Sequence, residues 1–400
     1  MTLIRKFRQI KGKIQYVYYY LTNKVDSNII IFESFMGRKY CDSPKAIYEY
    51  MLSDKKYSKY TFVWAFKQPE EYKYLEENLN TKICRYNSKS YLKYYSKAKY
   101  WVTNSRIPDT IIKKKDQVYI QCWHGTPLKR LGFDIEVTGG NAMNTIKDIR
   151  KKYDIDAKKY TYMVSPSKFS TEKFISAFNL KKYNKENIVI EQGYPRNDFL
   201  VNYKKQDVNK IKKELKIPKN KKVILYAPTW RDNQHENNVG YTYKTEVDFD
   251  YLKENLSDEY VILFRAHYFV ANNFDFEKYK GFIFDVSNYD DINHLYVVSD
   301  LLITDYSSVF FDYSILKRPI IFYMYDLEEY KTKLRDFYID LKELPGNIIE
   351  KENELIKEIK KASNFKYNKK YEKFNNKFTY LEDGKASERV VESIIGDKSE

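Results

Sequence analysis

Four places in this chain put reactive side chains where an apolar run ends. In "IQCWHGTP", His124 follows such a run, Gly125 lets the backbone come close to a ligand, and Thr126 with Pro127 reads as a helix start. An imidazole there can take a proton from an attacking hydroxyl, because its reference pKa lies near neutrality. The plainer reading is a His that only closes a loop. In "GYPRNDFL", Arg196 follows a Gly-Tyr-Pro turn, and Asn197 or Asp198 is placed to cap the next helix. An Arg beside free helix N–H groups makes an anion site, although a surface Arg next to a cap fits as well. The third place pairs "YAPTWRDN" with "LFRAHYF", so that Pro228, Thr229 and Arg231 end one run and Arg265, Ala266 and His267 end the next. Arg265 and His267 are two apart and share a face in an extended segment, which suits a pyrophosphate gaining charge as it departs. In "LLITDYSSVFFDY", Asp305 and Tyr306 turn the chain, and Ser307 and Ser308 open a helix. Hydroxyls at a first helical turn cap free N–H groups and leave the others for phosphate oxygens. Asp312 lies one turn beyond Ser308 on the same face, within reach of a ribose. A plain serine cap and a solvated surface carboxylate are the bland alternative.

The elements that must hold these groups are short apolar runs alternating with helical patterns. "NIIIFESF", "YTFVWAF", "KICRY", "YWVTNS", "QVYIQCW", "YTYMVSPS" and "NIVIEQGY" read as buried strands. Helical stretches lie between them, including "SPKAIYEYML" with Ser43 as cap and Pro44 at its first position. A polar, lysine-rich break covers Asn202 to Lys222. The alternation then resumes with "VILYAPTW", "EYVILFRAHYF", "GFIFDVS", "DLLITDYSS" and "PIIFYMYD", with helices from about Phe249 and Asp290. The expected class is α/β, with two Rossmann-like doubly wound domains facing a cleft. The expected boundaries are a basic helix at 1–27, a first domain at 28–205, a second at 206–375 and a C-terminal helix at 376–400. In such sheets ligands sit beyond the carboxyl ends of the strands, where all four reactive places fall.

Charge and composition narrow the partners. Lys plus Arg number 71 against 55 Asp plus Glu, a net charge of +16, which favours an anionic partner. Forty-one Tyr and many Lys, Asn and Ile also fit an AT-rich coding bias. No run approaches the roughly 18 apolar residues of a membrane span, and the start lacks a signal-peptide pattern. Cys41, Cys84 and Cys122 form no metal or disulfide pattern, which points to a reduced cytosolic protein. Leu3, Phe7, Ile10, Ile14, Val17 and Leu21 recur at helical spacing, with Arg5, Lys6, Arg8, Lys11 and Lys13 between them. Such a helix either lies on an anionic membrane or packs on its own domain with a charged outer face.

Taken together, "CWHGTPLKRLGFD", "GYPRND", "LYAPTWRD", "FRAHY" and "SDLLITDYSSVFFDY" resemble the motif series of the CDP-glycerol glycerophosphotransferases of teichoic acid biosynthesis, in that family's order from Trp123 to Tyr313. The resemblance implies a glycosyltransferase-B-like fold. It also implies transfer of an alditol phosphate from CDP-glycerol or CDP-ribitol to a hydroxyl of a lipid-linked acceptor, with release of CMP. By position, His124 and His267 would be the catalytic residues, His124 in a base-like role and His267 holding the pyrophosphate with Arg265, and Ala266 would belong to the donor site. Ser307 and Ser308 would bind the same pyrophosphate, and Asp312 would lie near the nucleotide. Gly125, Thr126, Pro228 and Thr229 would line the donor site, and Arg196 would face the anionic acceptor. The acceptor would be an undecaprenyl-diphosphate-linked disaccharide or growing teichoic acid at the cytoplasmic face of the membrane. An anionic membrane surface would then be a partner and nucleic acid would not. No ligand spacing marks a metal cage, so no tightly bound cofactor is expected, with Mg2+ at most accompanying the nucleotide. A nucleotide-sugar glycosyltransferase of the same fold is the alternative enzyme. A basic nucleic-acid-binding module explains neither His-Gly-Thr-Pro nor Arg-Ala-His.

Overall fold

The computed structural model describes residues 3–136, 145–229, 235–236, 240–241, 247–266, 274–329 and 337–395. His267 and Arg231, two of the expected site residues, lie outside them. The chain divides into two compact units. The first gathers Met1–His124, Lys152–Asp198 and Leu381–Glu400, and the second Gly125–Lys151 and Phe199–Tyr380.

Seven parallel strands form the first sheet: β1 (Asp26–Glu33), β2 (Thr61–Phe66), β3 (Thr81–Arg85), β4 (Ala98–Thr103), β5 (Val118–Gln121), β6 (Tyr162–Ser165) and β7 (Val189–Glu191). Their order is β3-β2-β1-β4-β5-β6-β7, so the topology reverses between β1 and β4. Glu33 pairs with Thr103 at that switch point. The strands are almost continuously apolar because helices cover both faces. Ile30, Phe32, Trp64, Val102, Ile120 and Val164 share one core with Tyr48 and Met51 of α2 (Asp42–Ser53).

The second sheet has six parallel strands: β8 (Lys222–Ala227), β9 (Tyr260–Phe264), β10 (Ile283–Asp285), β11 (Leu301–Thr304), β12 (Ile320–Tyr323) and β13 (Asn347–Ile349). Their order is β10-β9-β8-β11-β12-β13, the same winding with its switch point between β8 and β11. The α/β class with two doubly wound sheets is therefore observed. The boundary falls at Asp198/Phe199, and the lysine-rich break contains a helix, Lys205–Glu214.

The two terminal helices both belong to the first unit. The C-terminal helix, α5 (Ala386–Ile394), belongs to the first unit, where Val390, Val391 and Ile394 join the core against α2. Asp198, read as a cap for the helix after it, instead accepts the backbone N–H groups of Ala386 and Ser387 at 2.8 and 2.7 Å. A carboxylate at those free donors stabilises the start of α5.

The N-terminal helix, α1 (Leu3–Thr22), packs on α3 (Lys89–Lys97) through its tyrosine side. Tyr16 is fully buried and donates to the carbonyl of Ile112 at 2.7 Å. The apolar row faces outward: Ile10, Ile14, Val17 and Leu21 are 59, 67, 38 and 75% exposed.

Candidate active site

At the switch point of the first unit, the backbone leaves β1 in an unusual conformation. Phe35, Met36 and Gly37 have consecutive positive φ angles of 47, 58 and 73°. L-residues seldom adopt this region, and strain of this kind persists only where the surroundings over-determine it. Asn104 and Ser105, just beyond β4, supply the constraint. Asn104 Oδ1 accepts the Phe35 N–H at 2.8 Å, and Ser105 Oγ accepts the Met36 N–H at 3.0 Å.

His124 lies beyond β5 beside these groups. Its Nδ1 is 2.8 Å from the carbonyl oxygen of Asn104. A carbonyl can only accept, so Nδ1 carries the proton and Nε2 keeps its lone pair. Trp123, itself at φ 54°, stacks on the imidazole with ring centroids 4.7 Å apart, and Phe35 stands edge-on at 5.9 Å. His124 as a residue is nonetheless exposed. Desolvation by the surrounding atoms lowers its pKa below the ordinary histidine value. The Asn104 bond and the Asp42 carboxylate oppose that shift, while the Arg196 charge adds to it.

Arg196, expected at an acceptor surface, is only 5% exposed. Its guanidinium is 4.1 Å from the Tyr194 ring centroid and 3.6 Å from Asp42 Oδ1, and its backbone N–H donates to Ser43 Oγ at 3.4 Å. Its charge is thus spent inside the unit, next to His124. Ser43, expected to cap α2, holds Arg196 instead, because the helix starts one residue earlier at Asp42, whose φ is 66°. Sequence reasoning missed Asp42, Asn104 and Phe35.

Glu33, at the end of β1, is a buried carboxyl whose Oε2 accepts Tyr91 and Tyr95 hydroxyls at 2.9 and 3.0 Å. Burial pushes it up to about 7.

In the second unit, the expected donor residues converge on the switch point between β8 and β11. Asp305 Oδ1 accepts the N–H of Thr229 at 2.8 Å and of Tyr306 at 2.6 Å. Thr304 Oγ1 donates to Ala227 at 2.7 Å, so Pro228 and Thr229 are tied to the turn bearing Ser307 and Ser308. Both serines are half-buried ahead of α4 (Val309–Tyr313), and Ser308 makes no side-chain cap, which leaves its hydroxyl for another partner. Asp312 is 7% exposed and is no solvated surface charge. Gly125 also belongs here: a Cβ built on it would lie 2.6 Å from Ser308 Oγ. The chain after Gly125 is fastened by Tyr338, whose N–H donates to Leu128 at 2.8 Å and whose hydroxyl accepts the Leu131 N–H at 3.1 Å. Thr126 is buried. Arg265 Nη1 donates to Val286 and Tyr289 carbonyls at 3.0 and 2.8 Å, and the Ala266 N–H donates to Ser287 Oγ at 3.2 Å. These bonds hold the end of β9 against the turn after β10. Among the described residues, no group of three or more His, Cys, Asp or Glu is placed to hold a metal ion.

The arrangement offers a base of defined tautomer in one unit and a hydroxyl-rich strand end in the other. Its relatives carry matching names. The family model described as CDP-glycerol:poly(glycerophosphate) glycerophosphotransferase matches residues 15–396. A teichoic acid poly(glycerol phosphate) polymerase of Bacillus spizizenii is 40% identical over 400 residues, covering 98% of this chain and 99% of that one. A polymerase of the same name from Staphylococcus epidermidis is 42% identical over 96% of this chain, which spans about half of it, 53%. Among solved structures, the wall teichoic acid polymerase TagF soaked with CDPG superposes with a TM-score of 0.86 at 37% identity, covering 99% of this chain and 98% of that one. By fold, motif order and these matches, the chain belongs to the CDP-glycerol:poly(glycerophosphate) glycerophosphotransferase family of teichoic acid transferases.

Proposed function

We propose that the chain transfers glycerol phosphate from CDP-glycerol to a hydroxyl of a lipid-linked acceptor and releases CMP. The observation that carries this reading is the bond from His124 Nδ1 to the Asn104 carbonyl, which leaves Nε2 as the base of an exposed histidine. In the proposed step, Nε2 takes the acceptor's hydroxyl proton as its oxygen bonds to the β-phosphorus. The bond from that phosphorus to the bridging oxygen breaks, and CMP leaves with the electron pair.

Phosphoryl transfer of this kind rests mostly on positioning and charge neutralisation. Ser307, Ser308 and Arg265 are assigned to the pyrophosphate, as is His267 on its motif alone. Gly125, Thr126, Pro228, Thr229 and Ala266 shape the donor site, and Asp312 takes the ribose. No resident cofactor is assigned; Mg2+ would enter with the nucleotide. The family description and the poly(glycerol phosphate) relatives support glycerol over ribitol.

The acceptor is assigned as an undecaprenyl-diphosphate-linked disaccharide or growing teichoic acid at the cytoplasmic face of the membrane. No described helix is long and apolar enough to span a bilayer. The outward row Ile10, Ile14, Val17 and Leu21, flanked by Lys11 and Lys13, suits peripheral binding to an anionic surface instead.

The test offers CDP-glycerol, CDP-ribitol and UDP-sugars with synthetic lipid-linked acceptors, sizing products by mass spectrometry. CMP release from CDP-glycerol with acceptor extension is expected. Nucleotide release from a UDP-sugar with none from either CDP-alditol would overturn the reading in favour of a glycosyltransferase.

A further inference from the structure

In the second unit, the helices Phe249–Leu256 and Glu352–Ala362 cover one face of the sheet, where Phe249, Leu252, Leu355 and Ile359 share a core with Ile224 and Ile262. Both start at the carboxyl ends of the strands. Asp248 caps the first by accepting the Tyr251 N–H at 3.0 Å, and its own N–H donates to the Glu352 carboxylate at the head of the second. The second helix runs to the opposite end of the sheet. Ser363, just past its last residue, meets the Tyr260 hydroxyl at 2.8 Å and Lys222 Nζ at 3.1 Å, where β9 and β8 begin.

A cavity of about 540 Å3 lies along this pair, lined by Tyr251, Asn353, Ile356, Lys357, Lys360 and Lys361. It is open to solvent: Asn353 and the three lysines are exposed, and Tyr251 is 40% exposed. Lys361 pairs with Glu358, whereas Lys357 and Lys360 make no ion pair among the described residues. The carboxylates at the head of the groove are engaged elsewhere, Glu352 on the Asp248 N–H and Asp250 with Lys278 at 2.5 Å. Lysines in a last helical turn complement the helix dipole, but Lys357 lies more than a turn before the end, and the tyrosine ring comes from the neighbouring helix.

We propose that this groove holds the phosphodiester chain of a growing poly(glycerol phosphate) acceptor, behind the end that is being extended. This rests on the transfer reading above, which lengthens a polyanion at the carboxyl ends of the same strands. Lys357 and Lys361 are one turn apart, roughly 6 Å along the helix axis. In a glycerol phosphate chain two oxygens and three carbons separate successive phosphorus atoms, a similar length, so neighbouring phosphates can meet neighbouring lysines. The Tyr251 ring and Ile356 offer apolar surface to the carbons between them, and Asn353 offers a partner for the free hydroxyl. Arginine forks and helix N-termini fix a phosphate in place, whereas ammonium groups on flexible stems act as point charges past which a chain can slide. A concave channel also fits one extended strand better than the flat face of a bilayer.

The experiment measures fluorescence anisotropy of a labelled poly(glycerol phosphate) oligomer of defined length against the full chain. Three proteins are compared: wild type, the double variant Lys357→Gln with Lys360→Gln, and a control, Lys210→Gln with Lys213→Gln. The control loses the same charge from exposed positions on the helix Lys205–Glu214, outside the groove. All four sites are on the surface, so the folds should hold, and a thermal melt checks this. The groove variant is expected to bind the oligomer about tenfold more weakly and with a shallower salt dependence, while the control matches wild type. Wild-type binding by the groove variant, or equal weakening in both variants, overturns the assignment. Co-sedimentation with vesicles containing anionic lipid is run in parallel. Loss of vesicle binding with oligomer binding kept would give the groove to the membrane and overturn it as well. Absence of CMP release from CDP-glycerol overturns the transfer reading itself, which the binding assay does not touch.

Discussion

Asp42 and Arg196 form a buried ion pair, with Oδ1 and Nη1 3.6 Å apart and side chains 8 and 3% exposed. The two charges act on His124 with opposite sign. Asp42→Asn should therefore move the acid limb of kcat/KM to lower pH, and Arg196→Met should move it to higher pH. Each leaves one buried charge alone, so each should also lose about 3–5 kcal/mol of stability in urea unfolding. Identical profiles for both variants would detach the pair from the base.

His124→Asn should lower kcat by about 10²- to 10⁴-fold, the usual worth of a general base, while KM for CDP-glycerol and the melting temperature hold. Because packing lowers its pKa, the wild-type acid limb should fall below about 6.5, the unperturbed histidine value. Initial rates of CMP release between pH 5 and 8 measure both.

Gly125→Ala puts a methyl group where Ser308 Oγ now lies, 2.6 Å from the built Cβ. A serine hydroxyl can rotate away, so the fold should survive. An off-rotamer serine and one weakened hydrogen bond should raise KM for the donor about 10-fold. Donor titration and a thermal melt separate this from misfolding.

Glu33 predicts a pH-dependent stability. Burial raises its carboxyl from 4.5 to about 7, so the folded chain holds a proton that the unfolded chain releases. The stability is whole below the unfolded value and declines as pH rises towards about 7. The integrated loss is about 3 kcal/mol. Glu33→Gln should flatten this slope and be the more stable protein at pH 8. Urea midpoints at pH 5 and pH 8 give the comparison.

Exposed Ile14 and Leu21 are the probes for membrane binding. Burying one such side chain is worth about 1.5–3 kcal/mol, so Ile14→Glu or Leu21→Glu should weaken vesicle binding about tenfold or more. Co-sedimentation with vesicles containing anionic lipid tests this, and unchanged binding would place the contact elsewhere.

The sheets were legible because strands covered on both faces must be apolar along their length, as Ile30, Trp64 and Val102 show. The reactive residues at strand ends were legible for the same topological reason. The burial of Arg196 was not legible because its partner Asp42 is remote in sequence, and no local pattern announces a buried pair. Asn104 stood in plain sight in "YWVTNS", yet its role depends on Phe35 and His124 arriving from other strands. The lysine-rich stretch read as a break because its helix Lys205–Glu214 buries little besides Ile211.

The bonds from Asp198 to Ala386 and Ser387 span 188 and 189 positions. Phe199–Tyr380, the larger part of the second unit, is translated between them. At about 5–20 residues per second, a nascent chain waits roughly 10 to 40 s before α5 can close over Tyr60 and Tyr194. During synthesis the earlier-made half is thus the later one to mature, and its bare aromatic patch is the surface a ribosome-associated chaperone would meet.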